Sequence, residues 1–309
     1  MRGLPSGLAT IVKKEFIDTL RSKKFLIIII LFVAIWAFSS ASVSIAGSLV
    51  PGALPMRFFG RLGLSLSSSM GFIVPILGIA LGYAAISGER EGGSLKLLLA
   101  RPIHREDVIT GKSLAAIAAA GVAMFSSTLI AVGGSIWLQG VTPALDDVAR
   151  LLTFTFLSMI FFAAYYTICL FFSTLFTKTS RSLLVAIFVW VLFSFIIPIA
   201  ASLIAMTTIG LPPVRPGQPG MTEELQEYMR KVAEISGSIQ RFSINTHYST
   251  VANAVLVGQS QIGFQPETSR EITIAEALTI HWTGLVVLVT FTVIFFVASY
   301  LAFTRREEK

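Results

Sequence analysis

The sequence predicts an all-α, polytopic membrane protein with six transmembrane helices, an N-terminal amphipathic elbow helix and a helical extracytoplasmic segment before the last span. Three observations carry this. Of the 309 residues, 54% are hydrophobic and 13% charged, with a mean hydropathy of +0.78, which is more apolar and less charged than soluble domains are. Six segments are each long enough to cross an apolar layer ~30 Å thick at ~1.5 Å rise per residue. Each is continuously apolar rather than alternating over ~10 residues, so its backbone groups must be satisfied internally, as in a helix and not a barrel strand.

Residues 1–24 come first. Leu8, Ile11, Val12, Phe16 and Leu20 recur at helical spacing, with Lys13, Lys14, Asp18 and Arg21 on other faces. This pattern predicts an amphipathic helix on the inner membrane surface. The first span follows from Phe25 to Gly47. Its long leader and apolar run differ from the short core of a cleaved signal peptide, so it is expected to remain as a span. Further spans run from Ser69 to Ser87, Leu114 to Leu138, Leu151 to Phe176 and Ser182 to Met206, completing residues 25–206 with a cytoplasmic loop at 88–113. Pro75 and Pro198 are expected to kink two of them. Residues 207–281 are expected to leave the membrane. They open on LPPVRPGQPG, which excludes regular structure, and then present Met221, Leu225, Tyr228, Met229, Val232, Ile235, Ile239 and Phe242 at spacings of three and four, with Glu223 and Glu224 in the first turn. A helix is predicted there. Residues 282–309 hold the last span, Trp282 to Phe303, and a basic tail.

Basic residues set the orientation, because Lys and Arg near a span are retained in the cytoplasm. With the N-terminus inside, 16 of the 24 fall on inner segments: six before the first span, five from Arg90 to Lys112, two at Lys178 and Arg181, and three after the last span. Both termini are therefore predicted cytoplasmic, in a cell-membrane protein. The net charge of +7 is spread in short clusters between apolar runs, unlike the single basic face of a nucleic-acid binder.

None of the six spans contains Asp, Glu, Lys, Arg or His. Ion-coupled transporters and proton pumps keep such groups in the bilayer, so energy is expected to enter elsewhere. The lone Cys169 and the separated His104, His247 and His281 offer neither a disulfide nor a metal site. Gly78 and Gly82 stand in GxxxG spacing, with Gly71 seven residues earlier, a pattern that suits close helix packing.

The cytoplasmic loop ends in Gly111-Lys112-Ser113, the close of a phosphate-binding P-loop. A true P-loop needs glycine five positions before Gly111, to wrap its backbone round the phosphates. Glu106 stands there, followed by Asp107, and both would repel phosphate. ATP binding is excluded. The loop reads instead as a docking element: the charges Glu89, Arg90 and Glu91, then Gly93, then Leu95 and Leu98, closed by Pro102, with Arg105 and Lys112 leading into a helix that starts near His104 to Asp107. A short amphipathic helix of this kind suits a groove on a soluble partner.

The run from Glu89 through Glu91, Gly93, Ser94, Leu95, Leu98, Leu99, Pro102, Ile103, Arg105 and Ile109 to Gly111 and Lys112 resembles the signature of ABC type-2 transporter permeases. The wider chain is also similar, with Lys14-Glu15-Phe16 before the first span and a large outer segment before the last. Its stretch FSINTHYSTVANAVL resembles the subfamily that includes permeases of nitrous-oxide reductase maturation. The resemblance implies a non-catalytic permease that works as a dimer, without a cofactor of its own. Two separate ATPase subunits would bind ATP and Mg and act on it through the loop between spans two and three, in an exporter embedded in the lipid bilayer. Asn245, His247 and Tyr248 are candidate outer-gate residues. A membrane scaffold without transport is the alternative, which an ATPase gene beside this one would disfavour.

The charge distribution generates a direct test. In a Cys169-free background, single cysteines near Lys96 and near Gln226 are expected to react differently with an impermeant thiol reagent on intact cells, with labelling only at the second. Labelling only at the first would invert the topology.

Overall fold

In the computed structural model, residues 6–49, 58–95, 104–140, 142–210, 223–257 and 272–305 are described, and every regular element among them is helical. The chain begins with α1 (Ser6–Arg21) and α2 (Lys23–Leu49). Their axes differ by 61°. Ser22 makes the corner, its hydroxyl donating to the Thr19 carbonyl at 2.7 Å and accepting from the Phe25 amide at 3.1 Å, as a serine N-cap does.

Helix α3 (Phe58–Gly82) runs through Pro75 without interruption, and a turn leads to the short α4 (Ser87–Glu91). Next come α5 (Arg105–Gln139) and α6 (Leu145–Leu175). The fifth span is α7 (Thr179–Val191), a π-helical segment (Leu192–Ile196) and α8 (Ile197–Ile209). The order finishes with α9 (Glu223–Gln240), α10 (Ile244–Val257), α11 (Ile274–Ile280) and α12 (Trp282–Arg305). Among the described residues, five helices are long and apolar enough to cross a membrane, or six if the bent pair α1–α2 counts as one span.

Helix α6 is the centre of the bundle. It buries Phe161, Phe162, Tyr165, Tyr166 and Leu170 against α3, α5, α10 and α12. Glycine permits the closest of these contacts. A Cβ on Gly78 would lie 2.8 Å from the Tyr165 Cβ, and one on Gly82 would lie 2.7 Å from the Cys169 Cβ and 3.0 Å from the Tyr166 carbonyl oxygen. The GxxxG face is therefore occupied within the chain, by α6. Gly71 differs from its two neighbours in the pattern: among the described residues nothing stands within 4 Å of its Cβ position.

Within the segment expected to leave the membrane, the described residues 223–257 pack against the bundle. At one end of α9 the Tyr228 hydroxyl donates to the Gly210 carbonyl at 3.0 Å. Beyond its other end the Ser243 hydroxyl donates to the Phe193 carbonyl at 3.0 Å, so α9 runs antiparallel to α8 down to the middle of the fifth span. Helix α10 then climbs along α6. Asn245 meets Tyr165, Tyr248 meets Ser158, and the Val255 carbonyl accepts from the Arg150 guanidinium at 2.9 Å. The FSINTHYSTVANAVL stretch thus makes a buried helix, with Ile244, Tyr248, Val251, Ala252 and Val255 wholly enclosed.

Pro198 explains the π segment. The Ile197 amide donates to the Leu192 carbonyl, one residue further back than in an α-helix. The Phe193 carbonyl then faces Pro198, which has no N–H. Ser243 supplies the missing donor.

The glycine contacts make a paired expectation. Gly82→Ala should destabilise the detergent-solubilised protein by ~1–3 kcal/mol, as overpacking against backbone does, and Gly71→Ala should leave it unchanged. Thermal melts of the two variants give the comparison, and equal melting would contradict this packing.

Candidate coupling site

The loop residues singled out by sequence gather at the end of the bundle that carries α1. Helix α4 has only five residues, and successive side chains on a helix diverge by ~100°, so Glu89, Arg90 and Glu91 point three ways. Each finds a different partner. Glu89 Oε1 lies 2.7 Å from Lys112 Nζ, and the same ammonium lies 3.1 Å from Glu15 Oε2. Arg90 Nη1 donates to the carbonyls of Thr174 at 3.2 Å and Phe176 at 2.9 Å, which are left open at the C-terminus of α6. The Glu91 carboxylate accepts from the Thr179 amide at 2.9 Å and from the Thr179 hydroxyl, capping the positive end of α7.

Lys112 is 8% exposed. A charge so enclosed is tolerable only when paired, and the two carboxylates meet that need. Burial of Glu15 favours its neutral form, but Lys112 and then Lys14 outweigh this and hold its carboxyl below the usual range. For Glu91 the hydrogen bonds from Thr179 dominate and lower its carboxyl likewise.

Every residue of Gly111-Lys112-Ser113 has a packing role. A Cβ on Gly111 would meet the Ile11 side chain at 2.7 Å, so glycine admits α1 against α5. Lys112 bridges α1 to α4, and the buried Ser113 hydroxyl donates to the Ile109 carbonyl at 2.8 Å. The break between α3 and α4 is closed by Ser173 of α6, whose hydroxyl accepts from the amides of Ile86 at 3.0 Å and Ser87 at 2.9 Å. Composition carried no sign of Ser173, because a lone serine in an apolar span is commonplace.

Other expectations fare differently. Leu95, expected to fill a groove on a partner, is 1% exposed and belongs to the chain's own core. Leu98 and Pro102 lie outside the described residues. Gly93 has φ of +72°, a left-handed conformation that glycine adopts readily, and turns the chain after α4. Arg105 opens α5, with His104 in the N-cap position as anticipated.

The outer-gate candidates separate into two groups. Asn245 accepts from the Tyr165 hydroxyl at 2.6 Å and donates to the Ser194 hydroxyl at 2.9 Å, joining α6 and the π segment. Tyr248 is fully buried, stacked on Phe161 at 4.1 Å, so it is a packing residue and not a surface contact. His247 faces a cavity. Arg150, which sequence reasoning passed over, donates to the carbonyls of Val255 and Ile272, both at 2.9 Å. Its one sequence signal is its isolation, a single basic residue at the start of an apolar span.

The chain also matches known proteins. Residues 9–307 match the family model described as ABC-2 family transporter protein. Over 126 residues the chain is 34% identical to a protein of Pseudomonas aeruginosa named "Probable ABC transporter permease protein NosY", covering 41% of this chain and 43% of that one. Over 102 residues it is 35% identical to a protein of the same name from Stutzerimonas stutzeri, covering 33% and 36%. In these matches the chain spans less than half the length of either relative. With a family match over nearly its whole length and several helices fit to cross a membrane, the chain is a multi-pass membrane protein that belongs to the ABC-2 transporter family.

Proposed function

We propose that this chain is the membrane-spanning subunit of an ATP-driven ABC exporter, that it works as a dimer in the cell membrane with both termini cytoplasmic, and that it receives its energy at the α4 end from two separate ATPase subunits, which bind ATP and Mg. The observation that carries this reading is the three-way divergence of Glu89, Arg90 and Glu91. A push on α4 is delivered at once to α1 and α5 through Lys112, to α6 through Arg90 and to α7 through Glu91. Hydrogen-bonded charge pairs are short and directional, so the four helix ends move with α4 instead of sliding past it.

The end also offers a place for a partner. A groove of about 350 Å³ opens between α1 and the α3–α4 turn, lined in part by Glu15, Asp18, Thr19, Glu89 and Ser94. Its carboxylates suit a basic side chain at the docking face. Because Leu95 is buried, docking falls to the exposed surface of α1 and α4 and to the loop that follows. A second copy of the chain completes the unit, since six spans are half of the membrane core that the family resemblance implies. With Gly78 and Gly82 already packed on α6, that copy must use other faces. The fifth span exposes Leu184, Phe188, Ile199 and Leu203.

Two outcomes follow. Lys112→Ala leaves two carboxylates facing each other in a partly buried site, at a cost of ~3–5 kcal/mol, and exchange of Lys112 for Met together with Glu89→Gln should recover much of it. The assembled Lys112→Ala complex should still bind ATP while its transport-linked ATP hydrolysis falls at least tenfold. If the purified chain alone bound ATP and Lys112→Ala abolished that binding, the transmitting role would be refuted. Native mass measurement should give two permeases with two ATPases, and a stable one-to-one complex would exclude the dimer.

A further inference from the structure

A second polar site lies at the far end of the bundle, away from α1. A cavity of about 430 Å³ is enclosed by the C-terminal half of α9, the first turns of α10 and the start of α12. Its depth can be read from its neighbours. His247 lies beside Gly284, whose Cβ would stand 3.2 Å from the His247 carbonyl oxygen, and Gly284 is two residues below Trp282, ~3 Å along the helix. On the lower side, Ser243 follows Arg241 by two residues and bonds Phe193. Phe193 packs edge-on against Phe291 at 6.4 Å, nine residues and ~14 Å below Trp282. With Trp282 taken as the interfacial aromatic that opens the last span, the cavity lies at the outer rim of the bundle, beside the start of that span.

Polar side chains at that depth are costly unless water or a ligand meets them. Glu234, on α9, and Arg241, in the turn just beyond its end, both line this cavity as exposed side chains. The His247 Nε2 lies 2.8 Å from the Arg241 carbonyl, which can only accept, so Nε2 carries the proton and the imidazole braces the turn beneath the guanidinium. Thr246 stands in the first turn of α10 and Thr283 in the first turn of α12, so the positive ends of two long helices open at the cavity and favour an anion. Burial depresses the pKa of His281 at the rim.

We infer that this cavity binds a phosphoethanolamine group, with its phosphate on Arg241 and the two helix ends and its ammonium on Glu234. Guanidinium and phosphate match as a bidentate pair, and Glu234 keeps the formal charge of the wall at zero, which a zwitterion matches and a purely anionic group does not. The group comes either from an outer-leaflet phospholipid or from a small soluble phosphate. The depth, level with Trp282 and below, suits the lipid. This site is read from the cavity and is independent of whether the chain transports cargo.

The test uses the full chain in a phosphate-free maltoside detergent, titrated by calorimetry with dihexanoylphosphatidylethanolamine, dihexanoylphosphatidylglycerol and soluble O-phosphoethanolamine. Saturable binding of the ethanolamine lipid is expected, weakened at least tenfold by Arg241→Gln. Glu234→Gln should remove the preference over the glycerol lipid, and Lys231→Gln, paired instead with Glu227, should change nothing. Soluble O-phosphoethanolamine binding as tightly as the lipid would identify a free ligand for the same site, and binding of the lipid alone would identify the membrane as its source. Should Arg241→Gln fail to fold, Arg241→Lys, which keeps the charge and loses the bidentate fork, is expected to weaken binding severalfold. Absence of saturable binding to every probe, or unchanged binding in a folded Arg241→Gln or Arg241→Lys protein, overturns the proposal.

Discussion

A lysine enclosed at the end of an apolar bundle must be neutralised, and the arrangement of the α1 end follows from that requirement. Lys112 belongs to α5, yet its two carboxylates come from α1 and α4. The ammonium can be satisfied only if the elbow helix lies across α5 and the α3–α4 turn reaches down to it. Gly111 permits the first by admitting Ile11 at a distance no other residue would allow. Ser173 permits the second by taking up two amides at the break. With Glu89 so placed, Arg90 and Glu91 have no freedom left: the ~100° step of a helix directs them to the ends of α6 and α7. One buried charge therefore brings five elements to one point.

The bundle above this point is built on the opposite principle. Its polar groups are small and mostly satisfied within their own helices, as when the hydroxyls of Ser127, Thr155 and Ser158 donate to carbonyls four residues back. Such hydroxyls bend helices slightly and link them weakly. Cohesion comes instead from close packing on α6, where Gly78 and Gly82 bring α3 to backbone distance. The result is a packed, directional core joined to an ionic clip at one end.

At the far end one proline has a long reach. Pro198 cannot donate, so the fifth span adopts a π segment and leaves a carbonyl that Ser243 meets. Asn245 joins the neighbouring Ser194 to Tyr165 on α6. These contacts hold the turn between α9 and α10 at mid-span, which would be untenable for bare backbone in lipid. The cavity lined by Arg241, His247 and His281 exists because the hairpin is held down in this way.

Much of this was legible in the sequence. Helix formation and the choice of an apolar face depend on contacts three and four residues apart, so the spans, the amphipathic α1 and the apolar stripe of α9 could all be read directly. What fills a face is a different matter, because it depends on residues far along the chain. The GxxxG pattern announced a close contact without naming α6 as its partner. Leu95 looked like a docking residue because it follows a charged run, and it is buried where the chain turns at Gly93, just after α4. Tyr248 and Asn245 read as loop residues because nothing local announces that their helix packs inside the bundle, which rests on a carbonyl opened by Pro198 and met by Ser243. Sequence alone determined which segments are helical, which can enter the membrane and where charge collects; tertiary structure alone decided which charges meet, because an ion pair or a glycine contact forms only where packing brings distant residues within a few ångströms.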